Sequence, residues 1–240
     1  MTTTFIRMAT TAALIALATR AGADESAVRT MLARTFPQSP VQSIARTPVA
    51  GLFEAAINGQ MFYVSEDGRY VLGGPLIDAR NQVNLTEERL AEINAIPWDS
   101  LPLNLAIKRI RGAGTRRIAI FEDPDCPYCK TLEQTLSGID DVTVYVLLYP
   151  IDELHPHAVN RSRTVWCAKD RAKAWDDIMR TGVAPPNTST CDDPITTIAS
   201  FAKQHRIVGT PTMVLSDGRR LVGAVPRAEL EKQLFRAAKR

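Results

Sequence analysis

Two of the four cysteines in this 240-residue chain, Cys126 and Cys129, stand three positions apart in Phe121-Glu122-Asp123-Pro124-Asp125-Cys126-Pro127-Tyr128-Cys129-Lys130. Thiols at that spacing can close into a small disulfide ring and open again, which is the chemistry of a dithiol exchanger. The pair follows the apolar, strand-like run Ile118-Ala119-Ile120-Phe121 and opens a helix-like run. A sulfur at a helix N-terminus faces unpaired N–H groups and the positive end of the dipole, and both favour thiolate over thiol. Such a site lowers a thiol pKa from about 8.5 into the range of roughly 3.5 to 7.5. Cys126 is therefore the expected attacking sulfur, and Cys129, one helical turn on, the more covered resolving sulfur. Pro127 suits the first helical position, where no N–H donor is needed.

Competing chemistries for a CxxC pair are half of a zinc site and a static disulfide. Cys167 and Cys191 lie 24 positions apart and form no second CxxC, and His155, His157 and His205 have no ligand spacing with the cysteines. No metal and no cofactor are expected. The histidines are expected as surface or capping residues rather than bases. Glu122, Asp123 and Asp125 would oppose thiolate formation by like-charge repulsion. They are expected to be solvated surface acids, whose effect is weak. Thr210-Pro211 stands beside a predicted strand, where proline removes a ladder donor and so needs a reason of its own.

With 45% hydrophobic and 23% charged residues the composition is that of a globular protein, long enough for one or two domains. Residues 1–23 have the three parts of a secretory signal: Arg7, an apolar core from Ala9 to Ala18, and Ala21-Gly22-Ala23 before Asp24. Cleavage is expected after Ala23. Without Arg7 and Arg20 the formal charge of +3 falls by two, and no basic patch or stripe supports nucleic-acid binding. The leader core is too short for a mature transmembrane helix, and no later run reaches about 20 apolar residues, so stable membrane insertion is not expected. Export to an oxidising compartment agrees with the even cysteine count.

The elements that position the thiols follow from periodicity. Residues 24–83 open with a short amphipathic helix ending near Thr35. Strands follow at Phe53–Ile57, Met61–Val64, Tyr70–Leu72 and around Leu76–Ala79, with Asn58-Gly59 and Asp67-Gly68 as hairpin signals. So small a curled sheet is marginal alone, and burying an exposed edge against a partner would relieve that. Residues 84–105 are expected to form a connecting helix and linker: Thr86-Glu87-Glu88 opens the helix, Leu85, Leu90, Ile93 and Ile96 are its apolar set, Pro97 ends it, and Trp98 to Leu103 follow with further bulky anchors. Residues 106–240 have an α/β order. They run as strand 118–121, the CxxC helix, strand 142–149, a long helical region 157–180, a helix at 195–205, strands at 212–215 and 220–224, and a final helix from Arg227. The thiols fall at the end of the first central strand, where α/β sheets place ligands.

Several of these residues together resemble the periplasmic disulfide isomerases of the DsbC/DsbG family. They are Phe121, Asp123, Cys126-Pro127-Tyr128-Cys129, Trp166-Cys167-Ala168-Lys169-Asp170, Lys173-Ala174-Trp175-Asp176-Asp177 and Gly209-Thr210-Pro211, with Pro48-Val49-Ala50-Gly51 and Gly74-Pro75 in the first domain. The resemblance implies a mixed α+β and α/β chain. Its catalytic domain would have the thioredoxin fold with a helical insertion, preceded by a small cystatin-like dimerisation domain and a linker helix. It also implies catalysis by Cys126 and Cys129, and a cis Thr210-Pro211 that binds substrate together with Pro127 and Tyr128. A structural disulfide between Cys167 and Cys191 is implied as well, with free buried thiols as the alternative. The implied partners are a second copy of the chain, misfolded exported proteins with wrong disulfides, and a DsbD-type membrane reductase. Pro127-Tyr128 is the pair of the DsbG type, whereas the DsbC type usually carries Gly-Tyr. Thr210 fits both of these types, whereas DsbA-type oxidases usually carry Val there. A DsbA-like oxidase and a thiol-independent chaperone are the competing functions.

Overall fold

Alternation of apolar and polar residues builds the first sheet, and a left-handed turn fixes its register. The computed structural model describes residues 25–186 and 191–239; the expected leader lies outside the described residues. The chain divides into two compact units, Met1–Thr86 and Glu87–Arg240. In the first, α1 (Glu25–Thr35) covers an antiparallel meander of β1 (Val41–Arg46), β2 (Leu52–Ile57), β3 (Gln60–Ser65) and β4 (Val71–Gly73), in that order. Asn58 and Gly59 both have positive φ, 52° and 79°, so the tight turn pairs Ile57 with Gln60 and aligns β2 with β3. Phe53, Ala55 and Ile57 alternate toward Val28 and Leu32 of α1. The sequence reading missed β1; its polar Gln42 and Ser43 and a register shift between Val41 and Ser43 blur its alternation. A short hairpin of β5 (Ile77–Asp78) and β6 (Val83–Asn84) follows.

The helix of the expected 84–105 linker is only α2 (Leu85–Ile93). It stops short of Pro97, and two 3₁₀ turns, Trp98–Ser100 and Leu103–Leu105, follow it. Ile96, Trp98 and Leu101 are buried with Phe121, Leu147 and Val214, and Ile96 N–H donates to Gly218 O at 2.9 Å. Residues 96–105 are thus core of the second unit.

That unit has a five-stranded sheet in the order β11 (Arg220–Val222), β10 (Thr212–Leu215), β8 (Arg116–Glu122), β9 (Val142–Leu148), β7 (Ile107–Arg111). β8 and β9 are parallel, joined across α3 (Pro127–Ser137), and the other pairings are antiparallel. Alternation divides β8 between two layers. Ile118 and Ile120 pack with Leu132 and Leu136 of α3, while Ala119 and Phe121 pack with Ile198 and Ala202 of α6 (Ile195–Gln204). Leu230 and Leu234 of α7 (Arg227–Ala237) complete the first layer.

The helical region expected at 157–180 is two helices, α4 (Ala158–Trp166) and α5 (Arg171–Thr181), with the Asp170 carboxylate capping α5 by accepting from Lys173 N–H. Gly182 ends α5 at φ 73°, a left-handed position that suits glycine. Cys167 and Cys191 are joined in a disulfide. Closing a loop of that length stabilises the fold by about 3 kcal/mol in the chain-entropy model. It anchors the end of α4, as do Trp166 Nε1–H donating to Asp192 O at 3.0 Å and the Arg163–Asp193 ion pair at 2.9 Å.

Candidate active site

Cys126 is the N-cap of α3, with extended backbone, and Pro127 opens the helix. Its sulfur therefore meets the first free N–H groups of the helix. Cys126 is 4% exposed, Cys129 is fully buried, and both thiols are free. Pro127 and Tyr128 face solvent, Tyr128 with 65% of its surface. The Thr210–Pro211 peptide is cis and leads into β10, which pairs with β8 through Thr212 and Phe121. This pairing brings the proline loop to the thiols: the Cys126 thiol donates to Thr210 O at 3.4 Å. Pro211 O accepts from Gly223 N–H at 2.8 Å.

The two sulfurs differ sharply in acidity. Cys126 is lowered to about 5, chiefly by the bond it accepts from the Cys129 thiol, then by the Thr210 side chain and the N–H groups of Cys129 and Tyr128, which together outweigh burial. Burial, the same bond to Cys126 and the charge of Glu122 hold Cys129 protonated. One thiolate and one retained proton at neutral pH equip the pair for attack followed by resolution.

The acids differ from expectation. Glu122 and Asp123 are fully buried rather than solvated, and Asp125 is mostly covered. Glu122 ends the apolar face of β8, and neither carboxyl oxygen has a hydrogen-bond partner among the described residues. Burial, with the neighbouring Glu133 and Cys126, pushes its pKa well up, against the opposing pull of Arg109. Asp123 is satisfied by Asp125 N–H and Ile151 N–H, both at 2.8 Å, and by His155 Nδ1 at 2.9 Å. His155 is thus a partner of the redox turn rather than a surface residue. His157 caps α4 without a side-chain bond, and His205 packs on Phe201 with ring centres 4.2 Å apart.

Sequence reasoning also missed Arg109 and Arg161. Arg109, on β7, contacts Glu133 and Asp176, each at 2.6 Å, and Glu133 also accepts from Trp175 Nε1–H at 2.9 Å. Arg161, on α4, pairs with Asp125 at 2.6 Å. No local pattern marks either arginine, because the partners lie 24 and 36 residues away. For Glu122 a signal existed: it shares strand parity with Ile118 and Ile120. Among the described residues no group of three or more His, Cys, Asp or Glu side chains is placed to hold a metal ion. No described helix is long and apolar enough to cross a membrane.

A dithiol split into an acidic and a retained thiol, set at a helix N-terminus against a cis-proline loop on this sheet, defines a thioredoxin-fold thiol:disulfide oxidoreductase. Residues 103–238 match the family described as a thioredoxin-like domain, and residues 19–87 match the disulfide bond isomerase protein N-terminal domain. A probable thiol:disulfide interchange protein DsbC of Bordetella parapertussis is 43% identical over 208 residues, 87% of this chain and 73% of that one. The thiol:disulfide interchange protein DsbC of Escherichia coli is 30% identical over 220 residues, 89% of each chain. The crystal structure of a disulfide interchange protein from Neisseria gonorrhoeae, 43% identical, gives a TM-score of 0.56 over 57% of this chain and 99% of that one. The chain belongs to the DsbC family of thiol:disulfide interchange proteins.

Proposed function

We propose that the chain isomerises or reduces non-native disulfides in exported proteins through the Cys126–Cys129 dithiol. The observation that carries this reading is the placement of Cys126 at the N-terminus of α3 against the cis Thr210–Pro211 loop with Cys129 buried behind it, a setting that lowers Cys126 to about 5 and holds Cys129 protonated. The Cys126 thiolate attacks one sulfur of a wrong substrate disulfide. A Cys126–substrate bond forms, the substrate S–S bond breaks, and the second substrate sulfur leaves as thiolate. In isomerisation another substrate thiolate attacks the mixed disulfide, a new substrate disulfide forms, and Cys126 leaves as thiolate.

In reduction Cys129 attacks instead, and its proton needs an acceptor. As the Cys126–Cys129 bond forms the Cys126–client bond breaks, and the departing client thiolate takes up that proton. The product is a Cys126–Cys129 disulfide, which a DsbD-type membrane reductase returns to the dithiol with two electrons. Exposed Pro127 and Tyr128 lie between the thiols, and the Thr210 backbone beside Pro211 receives the client chain in the manner of an added strand.

We infer a homodimer through the N-terminal unit. β4 pairs only with β3 among the described residues, and it is exposed throughout, with Val71, Leu72 and the preceding Tyr70 open to solvent. An open apolar edge invites pairing, and a second copy supplies it. Sedimentation equilibrium gives twice the chain mass on this reading; a monomer at micromolar concentration contradicts it.

The compartment is the periplasm, reached by export and cleavage after Ala23. Acid-quenched thiol trapping in the cell of origin, followed by mass spectrometry, tests both compartment and role. The expected species begins at Asp24 and carries Cys126 and Cys129 mostly reduced. A mostly oxidised pair would favour a DsbA-like oxidase.

A further inference from the structure

Asp125 stands directly before the attacking cysteine, and a carboxylate there stabilises thiol over thiolate by like-charge repulsion. The acids before it are already quieted: burial pushes Glu122, at the end of β8, toward its neutral form, and Asp123 is tied to His155 and two N–H groups. Asp125 is met by Arg161, whose Nη1 donates to Asp125 Oδ1 at 2.6 Å, with the two side chains 27% and 15% exposed. The other terminal nitrogen of Arg161 donates to Gly182 O at the left-handed end of α5. One guanidinium therefore ties together the redox turn, α4 and the C-terminus of α5. The helical insertion, itself anchored by the Cys167–Cys191 disulfide, carries a cation to the residue beside the nucleophile.

We propose that Arg161 is a positioning residue for Cys126: it pins the Asp125 carboxylate and neutralises it, so that the sulfur meets no uncompensated negative charge from the preceding residue. The inference rests on Cys126 being the attacking sulfur. The other titratable groups around the turn are Glu122 at the end of β8, Asp123 and Asp125 on the turn itself, Cys129 and Lys130 on α3, and His155, which bonds Asp123; Thr210 and Pro211 carry no charge. Because the ion pair is partly exposed, solvent reduces its influence, and effects of a few fold are expected.

The test is the pH profile of Cys126 alkylation by iodoacetamide in the full-length reduced protein. The variants are Arg161→Gln, Asp125→Asn, the double variant and Arg161→Lys. The wild type is expected to reach half its plateau rate near pH 5. Arg161→Gln frees the carboxylate and lowers the rate at pH 5 by about two- to fivefold, whereas Asp125→Asn leaves the cation and raises the rate at pH 4 by a similar factor. The double variant returns to within about twofold of the wild type, and Arg161→Lys, which keeps the charge, stays close to it.

A merely structural role for Arg161 would not be corrected by removing its partner's charge. Coincident curves for wild type and Arg161→Gln, or shifts of the same sign in both single variants, overturn the proposal. If Arg161→Gln does not fold, Asp125→Asn decides: an unshifted curve there also overturns it. A wild-type profile with its midpoint near that of an ordinary thiol removes the proposed function along with this inference, whereas an acidic wild-type midpoint with unmoved variants removes the inference alone.

Discussion

A Cys126→Ser variant is expected to refold a scrambled multi-disulfide protein no faster than buffer, a loss of about 10³-fold or more, on the scale seen when an essential nucleophile is removed. At pH 7 a thiol with a pKa near 5 is almost wholly thiolate, whereas a serine hydroxyl in its place provides essentially no alkoxide. The same helix N-terminus and the same Thr210 contacts cannot close that gap. The substitution exchanges sulfur for the smaller oxygen at a position that already places Cys126 as N-cap, a role serine fills well. Folding is therefore retained, and unchanged tryptophan fluorescence shows it, because Trp98, Trp166 and Trp175 all report on the second unit.

Cys129→Ser behaves differently. Attack on the client still proceeds, but the internal escape route is closed, so a Cys126–client mixed disulfide accumulates on a non-reducing gel. The pair of variants also separates the chaperone reading from the thiol reading. Suppression of aggregation by exposed apolar surface survives Cys126→Ser, whereas disulfide reshuffling does not. Full reshuffling activity in Cys126→Ser would mean that binding alone suffices and that the dithiol is incidental.

What the sequence made legible was local. Ile118 to Phe121, the CxxC pair and Pro127 at the first helical position are contiguous, and their meaning follows from helix-end chemistry without knowledge of the rest of the fold. Asn58-Gly59 likewise set its own turn. The charged network was not legible, because its members come from β7, β8, α3, α4 and α5 and meet only when the sheet closes. Surface acids were the reasonable expectation for Glu122 and Asp123 from residue type alone. Yet the alternation that buries Ile118 and Ile120 carries Glu122 onto the same covered face, a rule applied to the strand but not extended past its apolar end. The linker misread has the opposite origin. α2 does open beside Thr86-Glu87-Glu88, but Ile96 and the bulky residues Trp98 and Leu101, which the pattern assigns to helix and linker, fill the core beneath β8 and β9.

Replacing Arg109 with Met is expected to destabilise the second unit by about 3–5 kcal/mol, the cost of breaking a buried ion pair from one side. Burial works against the guanidinium charge, but Glu133, Asp176 and Glu122 outweigh it and hold Arg109 protonated. Without Arg109, Glu133 is left nearly covered with no cation, beside a second buried carboxyl. Urea unfolding followed by tryptophan fluorescence measures the loss, and a change below about 1 kcal/mol would place Arg109 among exposed pairs of little worth. Glu122→Gln is predicted to act in the other direction. Burial and Glu133 raise the folded pKa of Glu122 above its unfolded value, so between those two values the folded state binds more protons than the unfolded one. That contribution to stability is complete below the unfolded pKa and is lost as pH rises through the folded one. Glutamine, the neutral isostere, has no such slope, so the variant is near wild type at pH 4 and gains on it as pH rises from the unfolded pKa to the folded one. Urea unfolding of both proteins across that pH range measures the difference, and a pH-independent one contradicts the raised pKa of Glu122.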